Sequence, residues 1–375
     1  MKKSILINAL GGKNWIGGLY YRKNIVFELL QNEEIASHYN VVVFASKENC
    51  SIFRCIKGVK IVGAVGNPKF QKIQKLFVLL INNVCCEYPQ PRLSKLLGAV
   101  PITWIPDFQH NYYQQFFKEE EIKNRDAMYS AYSRASAPLI LSSNACKSDL
   151  NKFYPNNKEN TYVVPFVSYI ETEIRALRPE REKEILDGRA LSSGKYAVVM
   201  NQFWQHKNHI VVFEAIKKLI ADHPDSSIRF VFTGLMEDYR NPEYIGQLKA
   251  IAEEPEVASR ISILGFIDRD EQIAIMKNAE FVIQPSLFEG WGTVVEDAKV
   301  LDKTVLLSDI PVHREQQNDK CILFDPSDSD ELAELIFKES NVEHSDDVEK
   351  GIADMYVRAK EYSKGFEKLL KDLEN

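Results

Sequence analysis

The sequence predicts an α/β protein built from two doubly wound parallel sheets. First, its 375 residues exceed what one hydrophobic core normally serves, so about two domains are expected. Second, short apolar runs rich in Val, Ile and aromatic residues recur along the chain, separated by stretches with helical spacing. That alternation is what βαβ units with buried parallel strands produce. Third, the loop after one late run carries Gly, Pro and acidic residues directly ahead of a helix start, where α/β proteins hold anionic ligands.

Residues 4–10 form the first expected strand. A glycine-bearing stretch, Gly11 to Gly18, leads into a helical pattern through Leu30. Paired glycines ahead of a helix let a ligand approach the backbone. Residues 39–46, YNVVVFAS, read as the second strand. Residues 50–75 are less regular: Lys57, Lys60, Lys69, Lys72 and Lys75 intersperse with Phe70 and Ile73, ahead of the apolar run 76–81. A basic amphipathic segment suits an anionic membrane surface, and a solvated helix on its own sheet explains it as well.

Residues 100–107 read as a strand running into a loop, within WIPDFQH, which ends at His110. Tyr112, Tyr113, Phe116 and Phe117 follow as an aromatic cluster, suited to lining a site or to core packing. Residues 137–143 give another strand, and 162–167 close a first domain of residues 1–170. The charged stretch 171–195, with Pro179 and Gly188, reads as a linker. Residues 196–200 open a second domain, 196–350, with further strands at 228–234, 261–267, 281–283 and 303–308. Helices are expected at 242–252 and 270–279, and one long amphipathic helix at 347–373.

Residues 1–150 carry 19 Lys and Arg against 11 Asp and Glu; the remainder carries 28 against 42. A basic N-terminal half on an acidic protein suggests an anionic partner on that side. No apolar run is long enough for a transmembrane helix. MKKSILINAL reads as two lysines before a buried strand rather than as a signal peptide. The six cysteines have no metal-like spacing and read as reduced thiols of a cytoplasmic protein.

The chain's most informative stretch is FVIQPSLFEGWGTVVEDAKVL, beginning at Phe281. Phe281 to Ile283 reads as a buried strand, Gln284 to Gly292 as a loop, and a helix starts near Thr293. Free N–H groups at such a helix start, with the helix dipole, favour a phosphate. Glu289 on the loop and Asp297 on the helix can accept bonds from neutral hydroxyls. Donors beside hydroxyl-reading carboxylates suit a molecule that is both phosphate and sugar.

This stretch resembles the signature of retaining glycosyltransferases of the GT-B fold, in the large family four that includes sucrose synthases and bacterial polysaccharide mannosyl- and glucosyltransferases. Their pattern is an acid, seven residues and a second acid around E-G-[FW]-G. Glu289 takes the first position and Asp297 the second, with Glu296 adjacent. WIPDFQH matches a subset of the same family. The resemblance implies two Rossmann-like domains facing a central cleft, with residues 351–375 crossing back towards the N-terminal domain. It also implies transfer of a hexose from a nucleotide-diphosphate sugar to a hydroxyl acceptor, with retention, in cell-surface polysaccharide or glycolipid synthesis. No metal or other cofactor and no nucleic acid partner are expected. The acceptor is a sugar or lipid-linked sugar, and peripheral contact with an anionic membrane through the basic half is an open reading.

The site residues follow from the same resemblance. Lys207 stabilises the departing diphosphate, Glu289 reads the transferred sugar, and His110 reaches that sugar's 6-hydroxyl. Gly17 and Gly18 face the diphosphate. Gly265, Phe266 and Ile267 flank the base. Gly290, Trp291, Gly292 and Thr293 present the helix start, and Asp297 or Glu296 holds the ribose. Gln202 stands where the family usually has an Arg, so one positive charge is missing; Arg314, Lys13 and His209 are the candidate replacements. Two other readings share these features: a nucleotide-sugar 2-epimerase, which needs no acceptor, and a non-catalytic nucleotide-binding protein. The spacing in GGKNWIGG disfavours a dehydrogenase.

Overall fold

The computed structural model describes residues 2–10, 16–89, 97–158, 160–238 and 240–374. The chain divides into two compact units: Met1–Tyr169 with Met355–Asn375, and Ile170–Asp354. Among the described residues, every strand pairing in both units is parallel.

The first unit holds β1 (Lys3–Ala9), β2 (Tyr39–Ser46), β3 (Lys60–Ala64), β4 (Val84–Tyr88) and β5 (Val100–Pro101) in the order β3-β2-β1-β4-β5. A second sheet of β6 (Thr103–Ile105), β7 (Leu139–Leu141) and β8 (Thr161–Val163) runs in sequence order. The expected single strand over 100–107 is therefore two. Ile102 donates to Glu87 O at 2.9 Å, and Thr103 to Pro138 O at 2.9 Å. Since N–H groups alternate sides along a strand, the residue before Ile102 should also donate towards β7. That residue is Pro101, which has no N–H, so the ladder to β7 starts only at Thr103.

The second unit is one six-stranded sheet of β9 (Tyr196–Met200), β10 (Arg229–Thr233), β11 (Ile261–Ile263), β12 (Phe281–Gln284), β13 (Thr304–Ser308) and β14 (Cys321–Phe324). Its order is β11-β10-β9-β12-β13-β14. β9, β12 and β13 are buried along their whole length, as parallel strands covered on both faces require. One core cluster joins Val199, Phe230, Phe232 and Phe281 of the sheet to Phe213 and Leu332 of its helices. Helix starts are chemically marked. Asn241 accepts from Tyr244 N ahead of Pro242, Asp268 and Glu271 form a capping box, and Asp328 accepts from Glu331 N at 2.8 Å. The DPSDSD stretch thus begins and caps the helix Ser329–Ser340.

Two further expectations are corrected. The stretch 171–195 is not a linker: it forms helices Glu171–Ala176 and Pro179–Gly188, and both lie in the second unit. The long terminal helix is two, Val348–Tyr362 and Lys364–Glu374, broken at Ser363. The irregular segment 50–75 contains the edge strand β3 and most of the helix Pro68–Ile81. The last helix presses on the end of β8 so closely that a Cβ on Gly365 would lie 2.1 Å from Val163 O.

Candidate functional site

In a parallel sheet of this order, the first strand lies between strands whose connections run to opposite sides. The crevice at the carboxyl ends of β9 and β12 is that reversal point, where open α/β sheets bind ligands. Asn201 follows β9, and Gln284 ends β12. Asn201 Nδ2 donates to Gln284 Oε1 at 2.8 Å, joining the two ends across the crevice. β10 comes in from the other side: a Cβ on Gly234 would lie 2.3 Å from Asn201 O, and the residue sits at φ +107°. Only glycine fits there.

Two loops meet over this crevice. After β9 the chain turns through Gln205–Lys207 into the helix His209–Asp222, with Asn208 in the left-handed region at φ +56°. Asn208 Nδ2 donates to Pro285 O at 3.1 Å and to Pro326 O at 2.8 Å. Leu287 N donates to His206 O at 2.8 Å. These bonds bring the Lys207 ammonium against the Glu289 carboxylate in a mostly buried ion pair. Ser286 Oγ and Gln284 Nε2 also donate to Glu289 Oε1, at 2.9 and 3.1 Å. Burial pushes the Glu289 carboxyl up, but the Lys207 charge and hydrogen bond outweigh it and hold the group below its usual value.

The surrounding histidines are neutral. Burial drives His206 well below its ordinary value, with the Lys207 charge adding to the effect. Burial likewise takes His209 down to about 3 and His313 to about 4. His209 stacks on Phe203 at 4.2 Å, and His313 Nδ1 lies 2.9 Å from Ser308 O. Neutral rings leave Lys207 as the cation facing Glu289.

The helix Thr293–Val300 starts from Gly292, and Gln316 clamps that start. Gly292 N donates to Gln316 Oε1 at 3.1 Å, and Gln316 Nε2 donates back to Gly292 O at 2.7 Å. Trp291 is buried. The two candidate ribose acids have different partners. Glu296 lies inside the unit, accepting from Lys299 Nζ at 2.8 Å and Gln316 Nε2 at 3.0 Å. Asp297 takes both arms of Arg269, at 2.7 and 2.6 Å. Arg269 begins the helix after Gly265, Phe266 and Ile267, so this pair ties the acid to the segment expected at the base. There Gly265 adopts φ +69°, Phe266 is half exposed and Ile267 is buried.

The remaining candidates fall elsewhere. Gln202 Oε1 accepts from Leu235 N at 3.0 Å, a loop-holding bond. Of its proposed replacements, His209 is neutral, Arg314 is ion-paired with Asp309, and Lys13 lies outside the described residues. Gly17 and Gly18 sit in the first turn of the helix Ile16–Gln31, and the loop 11–15 before them lies outside the described residues. His110 is fully buried in the first unit, its Nε2 3.1 Å from Asp126 Oδ1 and its ring 5.2 Å from Tyr129. Burial lowers its pKa against the opposing pull of Asp126. Sequence reasoning missed Gln284, Ser286, Gln316 and Arg269. Gln284 was detectable as a polar end to an apolar strand and Ser286 lies three positions from Glu289, whereas Gln316 and Arg269 act across sequence distance. Among the described residues, no three His, Cys, Asp or Glu side chains gather where they could hold a metal ion.

Residues 181–350 match the family model for glycosyl transferases, group 1. No curated protein sequence matches the chain. Solved structures share the fold over the whole chain. A glycosyltransferase from Rickettsia africae is 17% identical with a TM-score of 0.63, covering 100% of this chain and 97% of its own. Anabaena HepE, solved with UDP and glucose, is 16% identical at TM-score 0.62, covering 97% and 95%. Sucrose-phosphate synthase from Thermosynechococcus elongatus is 14% identical at 0.59, covering 99% and 95%. The α/β architecture is thus that of GT-B glycosyltransferases.

Two outcomes follow. Lys207→Met strands a buried carboxylate and is expected to cost the second unit about 3–5 kcal/mol in urea unfolding, with most of the loss restored by adding Glu289→Gln. The histidines set a separate pH window. An unfolded ring takes its proton near pH 6.5, while His209 and His313 stay neutral down to about 3 and 4. Stability is therefore fully present above pH 6.5 and falls below it, by about 1.4 kcal/mol per pH unit for each ring. Urea midpoints measured between pH 7 and 5 should decline on acidification, and His209→Phe should remove one ring's share of the slope.

Proposed function

We propose that the chain is a retaining, metal-independent glycosyltransferase. It moves a hexose from a nucleotide-diphosphate sugar to a hydroxyl of a sugar or lipid-linked acceptor in cell-surface polysaccharide or glycolipid synthesis. It works in the cytoplasm, peripherally at an anionic membrane face. The observation that carries this reading is the buried Lys207–Glu289 pair at the reversal point of the second sheet, inside the segment that matches the family model. The UDP and glucose bound by the HepE neighbour support a donor of this kind.

The roles follow from the chemistry. The bond from the sugar's anomeric carbon to the β-phosphate oxygen breaks, and the acceptor oxygen forms its bond on the same face. The acceptor proton passes to the departing phosphate. Lys207 and the N–H groups at the Thr293–Val300 helix start stabilise the charge that develops there. Glu289 accepts from a sugar hydroxyl. Asp297, held by both arms of Arg269, takes the ribose. Phe266 offers its exposed ring to the base.

The first test is a thermal-shift panel of UDP-, GDP-, ADP- and TDP-sugars, followed by turnover with the one that binds. Saturation a hundredfold above Kd stabilises by about 2.7 kcal/mol. One nucleotide family should shift the protein, turnover should need an acceptor and survive EDTA, and Lys207→Met should lower kcat about 10²–10³-fold. Product without acceptor would point to the epimerase, and absence of any shift would remove the donor assignment.

A further inference from the structure

The helix Pro68–Ile81 in the first unit carries apolar side chains on two faces. Its inward face buries Val78, Leu79 and Lys75, with Lys75 ion-paired to the fully buried Glu87. Its outward face is apolar: Phe70 is 48% exposed, Ile73 50%, Phe77 60%, Leu80 61% and Ile81 66%. At 3.6 residues per turn these five fall within an arc of about 100°, running about 17 Å along the helix. Val65, 48% exposed, stands just ahead of it. Isolated exposed apolar side chains are ordinary, but a continuous strip of large ones marks a contact surface.

The topologically equivalent helix of the second unit is Arg269–Lys277. Each links the edge strand of its sheet to the strand on the far side of the first, β3 to β4 in one case and β11 to β12 in the other. Arg269–Lys277 buries Ile273, Ala274, Ile275 and Met276 and has no exposed large hydrophobic residue. The fold itself therefore does not require an apolar outer face at this position.

Charge identifies the occupant. Residues 49–86 contain six basic residues and no Asp or Glu. Arg54, Lys57, Lys60, Lys69 and Lys72 are all exposed. Lys69 borders the apolar arc. Lys60, on edge strand β3, donates to Asn82 at the C-terminal end of the helix. An apolar strip flanked by long cationic side chains, without any acid, matches a bilayer that carries anionic lipid. We infer that the outward face of Pro68–Ile81 is a membrane-docking surface, seating its aromatic and aliphatic side chains among acyl chains while the lysines meet anionic headgroups.

The inference gives the membrane contact in the proposed function its surface, but it does not rest on the donor assignment. Its test counts bound protein and needs no substrate. The full chain is sedimented with phosphatidylcholine vesicles, alone or with about a third phosphatidylglycerol. Wild type should pellet with the anionic vesicles only. The double variant Phe77→Glu with Leu80→Glu should partition at least tenfold less while keeping its urea midpoint, since both side chains are exposed. Lys69→Gln with Lys72→Gln should weaken binding, and added salt should weaken the wild type towards it. The inference fails if wild type stays in the supernatant, if neutral vesicles bind it equally, or if neither double variant differs from wild type. A concentration-dependent dimer lost in the glutamate variant, without vesicle binding, would assign the face to a second copy of the chain instead.

Discussion

The second unit depends on one constraint: a lysine and a glutamate are held together, mostly out of water, where two strand ends diverge. Removing either charge from water costs several kcal/mol, and the mutual attraction of a buried pair only roughly offsets that cost. The pair stands because the surrounding bonds are specific. Ser286 and Gln284 donate to the carboxylate, Asn208 pins one loop to the other, and Gly234 lets β10 close on Asn201. A leucine and a methionine would fill the same space at less electrostatic cost. Keeping the charges there suits a site that must meet a charged ligand better than it suits a core.

Much of this was legible where the information is local. The stretch 281–297 announces a strand, a loop and a helix start, and the structure has β12, the loop and Thr293–Val300 in that order. The acids were visible as acids. Their partners were not, because Gln316 reaches back 24 positions to Gly292 and Arg269 reaches 28 positions forward to Asp297. Spacing rules see one element at a time. The helices at 171–188 were missed for a different physical reason: Pro179–Gly188 buries only Ile185. It is held instead by polar links, Arg189 to Glu271 at 2.9 Å and Glu182 to Lys277 at 2.7 Å. A helix docked by charge leaves no apolar periodicity and reads as linker.

The basic segment before β4 shows the opposite difficulty. Its apolar residues were plain, but they serve two faces, and a sequence pattern cannot say which one is covered. Lys75 sits inside with Glu87, whereas Phe77 and Leu80 point outward. Counting hydrophobic residues alone would have assigned them the reverse places.

The electrostatics around the candidate site have a simple form once partners are known. Each of the three acids has its own cation: Glu289 has Lys207, Asp297 has Arg269 and Glu296 has Lys299. Gln202 adds no charge, and the neighbouring histidines stay neutral. On the donor reading, a diphosphate arrives at a site whose nearest cation is already shared. It must compete with Glu289 for Lys207. As the ammonium turns towards phosphate, the carboxylate gains capacity to accept from a sugar hydroxyl. The phosphate and sugar ends of one ligand are then read by two halves of the same ion pair, so a ligand with only one of those ends satisfies neither half fully. Glu296 is set apart from this exchange: with Lys299 and Gln316 it braces the helix start from within, leaving Asp297 and its Arg269 clamp at the segment that carries Phe266.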